Sequence, residues 1–176
     1  MKGVFGHLCK LAAAAALSLA GGCGPFWVNP YITVSESKLN WMEVHYYRTD
    51  TTPVRRMSLF MNGAGYVEFK KGTSELISND FAKRHDSEEW GKIKSRRFNV
   101  DPKHVNDIFQ NLVNHGLLDS EKHFKGSKTP RKGRMMGVKA NINNLSYAEQ
   151  DNIFESDPDL AEQLLDVIRE FDDPNL

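Results

Sequence analysis

Cysteine is scarce: Cys9 and Cys23 are the only two in 176 residues. That excludes a disulfide-rich scaffold and a multi-cysteine zinc site. No sign of charge dominates, because 23 Lys and Arg stand against 23 Asp and Glu. A general nucleic-acid binder usually carries a strong basic excess, so nucleic acid is not an expected partner. No apolar run reaches the roughly 18 residues of a membrane-spanning helix. The nucleophile elbow G-x-S-x-G, the zinc helix H-E-x-x-H, Walker A, C-x-x-C and an EF-hand loop are all missing. Gly63-Ala64-Gly65 lacks a third glycine at dinucleotide spacing and joins two strand-like runs, so it reads as a hairpin turn. No cofactor or metal is expected. What remains is 40% hydrophobic and 26% charged, the balance of a globular domain.

The first residues read as an export signal. Lys2 and Lys10 form a short basic region, and Leu11 to Ala20 is apolar except for Ser18. This is too short to span a bilayer and fits a signal-peptide core. Leu19-Ala20-Gly21-Gly22-Cys23 then sets small residues directly before a cysteine. The segment resembles the lipobox of bacterial lipoprotein precursors. That resemblance implies a diacylglyceryl group on the Cys23 thiol, cleavage after Gly22, and acylation of the new amino terminus by a chain such as palmitate. One departure is Ala20 at the position where the box prefers Leu, with Leu19 one step earlier. The alternative is an ordinary secretory signal cleaved near Ala20, leaving Cys23 as a free thiol. Lipidation is the better reading, because an exposed unpaired thiol is a liability in an oxidising compartment. Several acyl chains also anchor far more firmly than one. Gly24 stands where an aspartate retains many lipoproteins in the inner membrane, so the outer membrane is favoured if the host has one. Loss of Lys2 and Lys10 with the signal leaves 21 basic and 23 acidic residues.

Residues 1–22 are thus expected as signal peptide, 23–37 as a lipid-anchored tether and 38–176 as one domain. Pro25 and Pro30 oppose regular structure in the tether. Phe26, Trp27 and Tyr31 either lie at the membrane interface or pack back onto the domain. Met42 to Tyr46 alternates apolar and polar residues, as does Met57 to Met61, and Tyr66 to Phe69 follows the glycine turn. Further strands are expected near Glu75–Ile77, over Ile93–Val100 and at Met136–Asn143. Asp101-Pro102 and Asp157-Pro158 each open a helix, with Asp as N-cap and Pro at the first helical position. Val105, Ile108, Phe109, Leu112 and Val113 line one helical face, and Gly116 closes that helix. Leu160, Leu164, Val167, Ile168 and Phe171 line the other. The expected class is α+β: an antiparallel sheet of about five strands with two helices packed on one face.

Candidate chemistry is thin. His85-Asp86 with Glu88 and Glu89 is a local cluster that reads as a solvated polar loop, with a metal or acid–base site as the alternative. His115 ends the first helix, where a cation interacts favourably with the dipole. Glu170, Asp172 and Asp173 end the second helix with the unfavourable sign and predict a frayed tail. Lys122, Lys125, Lys128, Arg131, Lys132 and Arg134 form a basic stretch over residues 121–134, in which Gly126, Pro130 and Gly133 oppose helix. It reads as a mobile, solubilising connector, or as a contact for lipid phosphates, an acidic polymer or an acidic envelope protein. The expected function is a membrane-anchored lipoprotein of the cell envelope acting as a non-catalytic binding or assembly module. The alternatives are an envelope hydrolase and a periplasmic enzyme inhibitor. The expected partners are the membrane, through lipid on Cys23, and an envelope protein or anionic polymer.

Overall fold

A computed structural model describes residues 31–74, 90–119, 132–148 and 152–172. Four strands come first: β1 (Trp41–Arg48), β2 (Val54–Asn62), β3 (Tyr66–Ser74) and β4 (Trp90–Asn99). Helix α1 (Pro102–Asn114) precedes β5 (Arg134–Ile142) and β6 (Leu145–Ala148). A single turn of helix, α2 (Ile153–Ser156), leads into α3 (Pro158–Asp172). The strands form one antiparallel six-stranded sheet in the order β4-β3-β2-β1-β5-β6. The α+β class therefore holds, with six strands and three helices among the described residues where about five and two were expected.

The added strand has a local cause. Asn143 and Asn144 both sit at positive φ, 52° and 65°. A two-residue hairpin turn of this kind needs that conformation, and Asn tolerates it. β5 therefore returns immediately as β6, pairing Ile142 with Leu145. The Asn62–Gly65 turn follows the same logic. Gly65 at φ 87° donates its N–H to the Asn62 carbonyl, and β2 returns as β3.

Both long helices start as their sequences dictate. The Asp101 carboxylate accepts from the Lys103 N–H at 2.9 Å, and that of Asp157 from the Leu160 N–H at 3.1 Å. Gly116 adopts φ 94° past the end of α1, and the Leu117 N–H reaches back to the Leu112 carbonyl. His115 donates from Nδ1 to the Asn111 carbonyl at 2.8 Å, so it caps α1 by a hydrogen bond. The apolar faces of α1 and α3 bury Phe109, Leu112, Leu164 and Ile168 against Val44, Leu59, Met61 and Val138 of the sheet. Burial of this kind is the main source of stability for elements that are marginal alone.

Residues 32–35, expected in the tether, dock on the domain. Val34 is buried and donates its N–H to the Gln110 side chain at 2.8 Å. Gln110 in turn donates to the Ile32 carbonyl, and Asn143 holds Thr33 and Ser35. The Tyr31 hydroxyl donates to Asp119 at 3.1 Å. Phe26 and Trp27, the Glu75–Ile77 strand and the His85–Glu89 cluster lie outside the described residues.

The C-terminus of α3 departs from expectation. Its acidic residues find partners on other elements. Lys71 of β3 meets Asp172 at 2.6 Å, and His104 of α1 meets Glu170 at 2.6 Å. The Arg96 guanidinium of β4 donates to the Phe171 carbonyl. The charges that complement the helix dipole thus arrive across the fold. Asp173 lies outside the described residues.

Candidate functional site

Most of the basic stretch 121–134 falls outside the described residues. Lys122, Lys125, Lys128 and Arg131 lie outside the described residues, as does Cys23. Lys132 is exposed at φ 48° in the turn before β5. Arg134 is the first residue of that strand and not a loop cation. It pairs with Glu162 at 2.6 Å and its guanidinium lies 4.3 Å from the centre of the Phe154 ring. Its role is to hold α2 and α3 against the sheet.

A different set of cations converges. In the register of β1 and β2, Arg48 stands directly opposite Arg55. On its other side Arg48 stands opposite Arg134. Between β3 and β4, Lys71 stands opposite Lys94. Like charges directly opposite in a sheet are unfavourable. Arg48, Arg55, Lys71 and Lys94 open onto a cavity of about 660 Å³ beside the last residue of α3, Asp172. Tyr46 and Met57 add apolar surface to the walls, and Lys92 adds a further cation.

Two of the cations are neutralised. Arg48 holds Asp50 through Nε and Nη2 at 3.1 and 2.8 Å. That hydrogen bond holds the Asp50 carboxyl below its ordinary value and raises Arg48 above its own. Lys71 is held by Asp172. Arg55, Lys92 and Lys94 have no carboxylate partner among the described residues. Burial pushes the Tyr46 phenol above its ordinary value against the opposing pull of Arg48, so it presents a neutral hydroxyl. Gly72 shapes the wall: a Cβ there would stand 1.8 Å from the Lys92 carbonyl oxygen. The irregularity in the register between Gly72 and Ser74 depends on that close approach.

The opposite face of the sheet carries a buried polar chain. His45 and Arg56 are 2% and 0% exposed. Arg56 Nη2 lies 3.1 Å from His45 Nδ1, and His45 Nε2 lies 3.1 Å from Glu43 Oε1. The Arg56 guanidinium also lies over Trp90, 4.1 Å from the ring centre, and over Tyr47 at 5.2 Å. Both ring nitrogens of His45 are thereby engaged, which suits a structural role better than acid–base work on a substrate. Further along this face Trp41 stacks on Phe60, Phe60 meets Tyr66 edge-on, and Lys139 lies 5.6 Å from the Trp41 ring centre. Ser58, a polar position in the alternation, is 5% exposed and paired with His45 in register.

Among the described residues no group of three or more His, Cys, Asp or Glu side chains is placed to hold a metal ion. No described helix is long and apolar enough to cross a membrane. The chain matches no family model and no curated protein.

Proposed function

We propose that the chain is a lipid-anchored lipoprotein of the bacterial cell envelope, and that its domain is a non-catalytic binding module. The observation that carries the binding reading is the cationic groove. Asp50 and Asp172 pair with Arg48 and Lys71, while Arg55, Lys92 and Lys94 have no carboxylate among the described residues, which leaves positive charge for an anionic partner. The Leu19–Cys23 lipobox supports the location, with lipid on Cys23 and the outer membrane favoured. In this reading α1 and α3 cover one face of the sheet, and the groove opens beside α3. The engagement of both His45 nitrogens speaks against the hydrolase alternative.

Intact mass spectrometry of the membrane fraction tests the anchor. A chain beginning at Cys23 and carrying diacylglyceryl plus acyl mass is expected; an unmodified Cys23 overturns it. Crosslinking from an Arg55 or Lys94 position in the native envelope tests the binding reading. Capture of an anionic component is expected, and crosslinks equally abundant from Lys139 on the other face would overturn it.

A further inference from the structure

We propose that the groove at the Arg48 end of the sheet binds a phosphate-bearing amphiphile, its charge held by Arg55, Lys92 and Lys94 and its apolar part seated on Tyr46 and Met57. The inference rests on the binding reading above and names the ligand chemistry.

A protective role for the lysines explains only part of the arrangement. β4 is an edge strand, and lysine on an edge discourages pairing with other chains. That accounts for Lys92 and Lys94. It does not account for Arg48 and Arg55, which lie on β1 and β2 inside the sheet. Nor does it account for Lys71 on β3, opposite Lys94. Besides the buried Arg56, five cations from four strands meet at one opening, and among the described residues only Arg48 and Lys71 have a carboxylate there, Asp50 and Asp172. Three cations without a carboxylate among the described residues suit a group carrying two negative charges. The Arg55 fork and two lysine point charges match phosphate oxygens.

The walls set the rest of the ligand. About 660 Å³ lies within the range of small-molecule sites, well above the space a bare phosphate needs. Met57 is flexible and polarisable, which suits an apolar chain or ring. Residues 32–35 join the domain at the Trp41 end, against Asn143 and Gln110. Arg48 is seven residues further along β1, about 23 Å away at strand spacing.

Two sources supply this chemistry, a phospholipid headgroup or a soluble phosphate monoester. The test uses the full lipidated chain in a neutral detergent and isothermal titration with four probes. These are pyrophosphate, hexyl phosphate, dihexanoyl phosphatidic acid and dihexanoyl phosphatidylcholine. Hexyl phosphate or phosphatidic acid should bind more tightly than pyrophosphate, and the tighter of the two identifies the source. The Arg55→Gln/Lys92→Gln/Lys94→Gln variant should bind at least about tenfold more weakly. Its melting temperature should hold or rise, because repulsion is relieved. Added salt should weaken binding by the wild type. Lys139→Gln, on the other face, should change nothing. Should the triple variant fail to fold, Arg55→Gln alone, an exposed position, gives the same comparison. Phosphatidylcholine binding as tightly as phosphatidic acid would overturn the proposal. So would pyrophosphate matching the amphiphiles, or the variants binding like wild type. A chain without lipid on Cys23 still gives this titration, so failure of the anchor and failure of the groove are read separately.

Discussion

Arg56 donates from Nη2 to Nδ1 of His45 across 3.1 Å, between two side chains that are almost wholly buried. A guanidinium has no lone pair to offer, so Nδ1 must be the accepting nitrogen. His45 therefore carries its proton on Nε2 and donates it to Glu43 Oε1 at 3.1 Å. One hydrogen bond fixes the tautomer of the ring and the direction of the next.

The first prediction follows from that chain. Nitrogen-15 spectra at neutral pH should show His45 with Nε2 protonated and Nδ1 bare; the opposite tautomer would break the assignment. Arg56→Lys should destabilise the domain by roughly 2 kcal/mol in chemical denaturation, because an ammonium cannot lie flat over both Trp90 and Tyr47. A change below about 0.5 kcal/mol would show that the charge alone matters at this position.

Much of the fold was legible because its signals are local. Asp101-Pro102, Asp157-Pro158 and Gly116 mark helix ends by hydrogen bonds within a few residues, and the structure places them there. The hairpin at Asn62–Gly65 was equally plain. Asn143-Asn144 between Ile142 and Leu145 carries the same kind of signal for β6, but the strand it opens is only four residues long. The groove was not legible. Its cations lie on four strands between residues 48 and 94, and only the register brings Arg48 against Arg55 and Lys71 against Lys94. Arg134 misled for the opposite reason. Its sequence neighbours are cations, while its structural partners, Phe154 and Glu162, lie 20 and 28 positions away.

Glu68 gives the acid side of the stability profile. Partial burial pushes its carboxyl up, but the hydrogen bond from Arg97 and the nearby Lys70 outweigh it and hold it below the ordinary 4.5. A depressed carboxyl adds stability above its unfolded value and loses it as pH falls through the folded one. The contribution should therefore be complete near pH 6 and fade below about pH 4.5. Arg97 is largely exposed, so the effect should stay under about 1 kcal/mol. Glu68→Gln should accordingly narrow the gap in melting temperature between pH 6 and pH 3. A gap as wide as in the wild type would place the acid sensitivity elsewhere.

Arg96 should govern the end of α3. Its guanidinium donates to the Phe171 carbonyl and lies 5.7 and 5.8 Å from the ring centres of Phe69 and Phe98. Arg96→Gln removes a charge-assisted cap at the negative end of the helix dipole, worth about 1 kcal/mol. Amide exchange in the last turn of α3 should quicken about fivefold while exchange in β1 stays unchanged. Uniform acceleration through the domain would instead mean that α3 does not open on its own.

Lys132 and Arg134 are two cations two residues apart, and substitution should separate them. Lys132 is exposed in a turn at positive φ, and no ion pair holds its side chain among the described residues. Lys132→Gln should alter stability by less than about 0.5 kcal/mol. Arg134 carries more. It stacks on Phe154, a side chain 1% exposed, and reaches Glu162 on α3. Its backbone carbonyl accepts from Asn152, whose side chain also accepts from the Met136 N–H and so fastens the start of α2 to β5. Arg134→Gln keeps those backbone bonds and loses only the stacking and the ion pair. It should cost about 1 kcal/mol, with the ion-pair part reduced by its exposure. Glu162→Gln should cost less than Arg134→Gln, because it leaves the Phe154 contact in place. Equal losses from the two would assign the whole effect to the ion pair, and equal neutrality of Lys132→Gln and Arg134→Gln would return Arg134 to the connector.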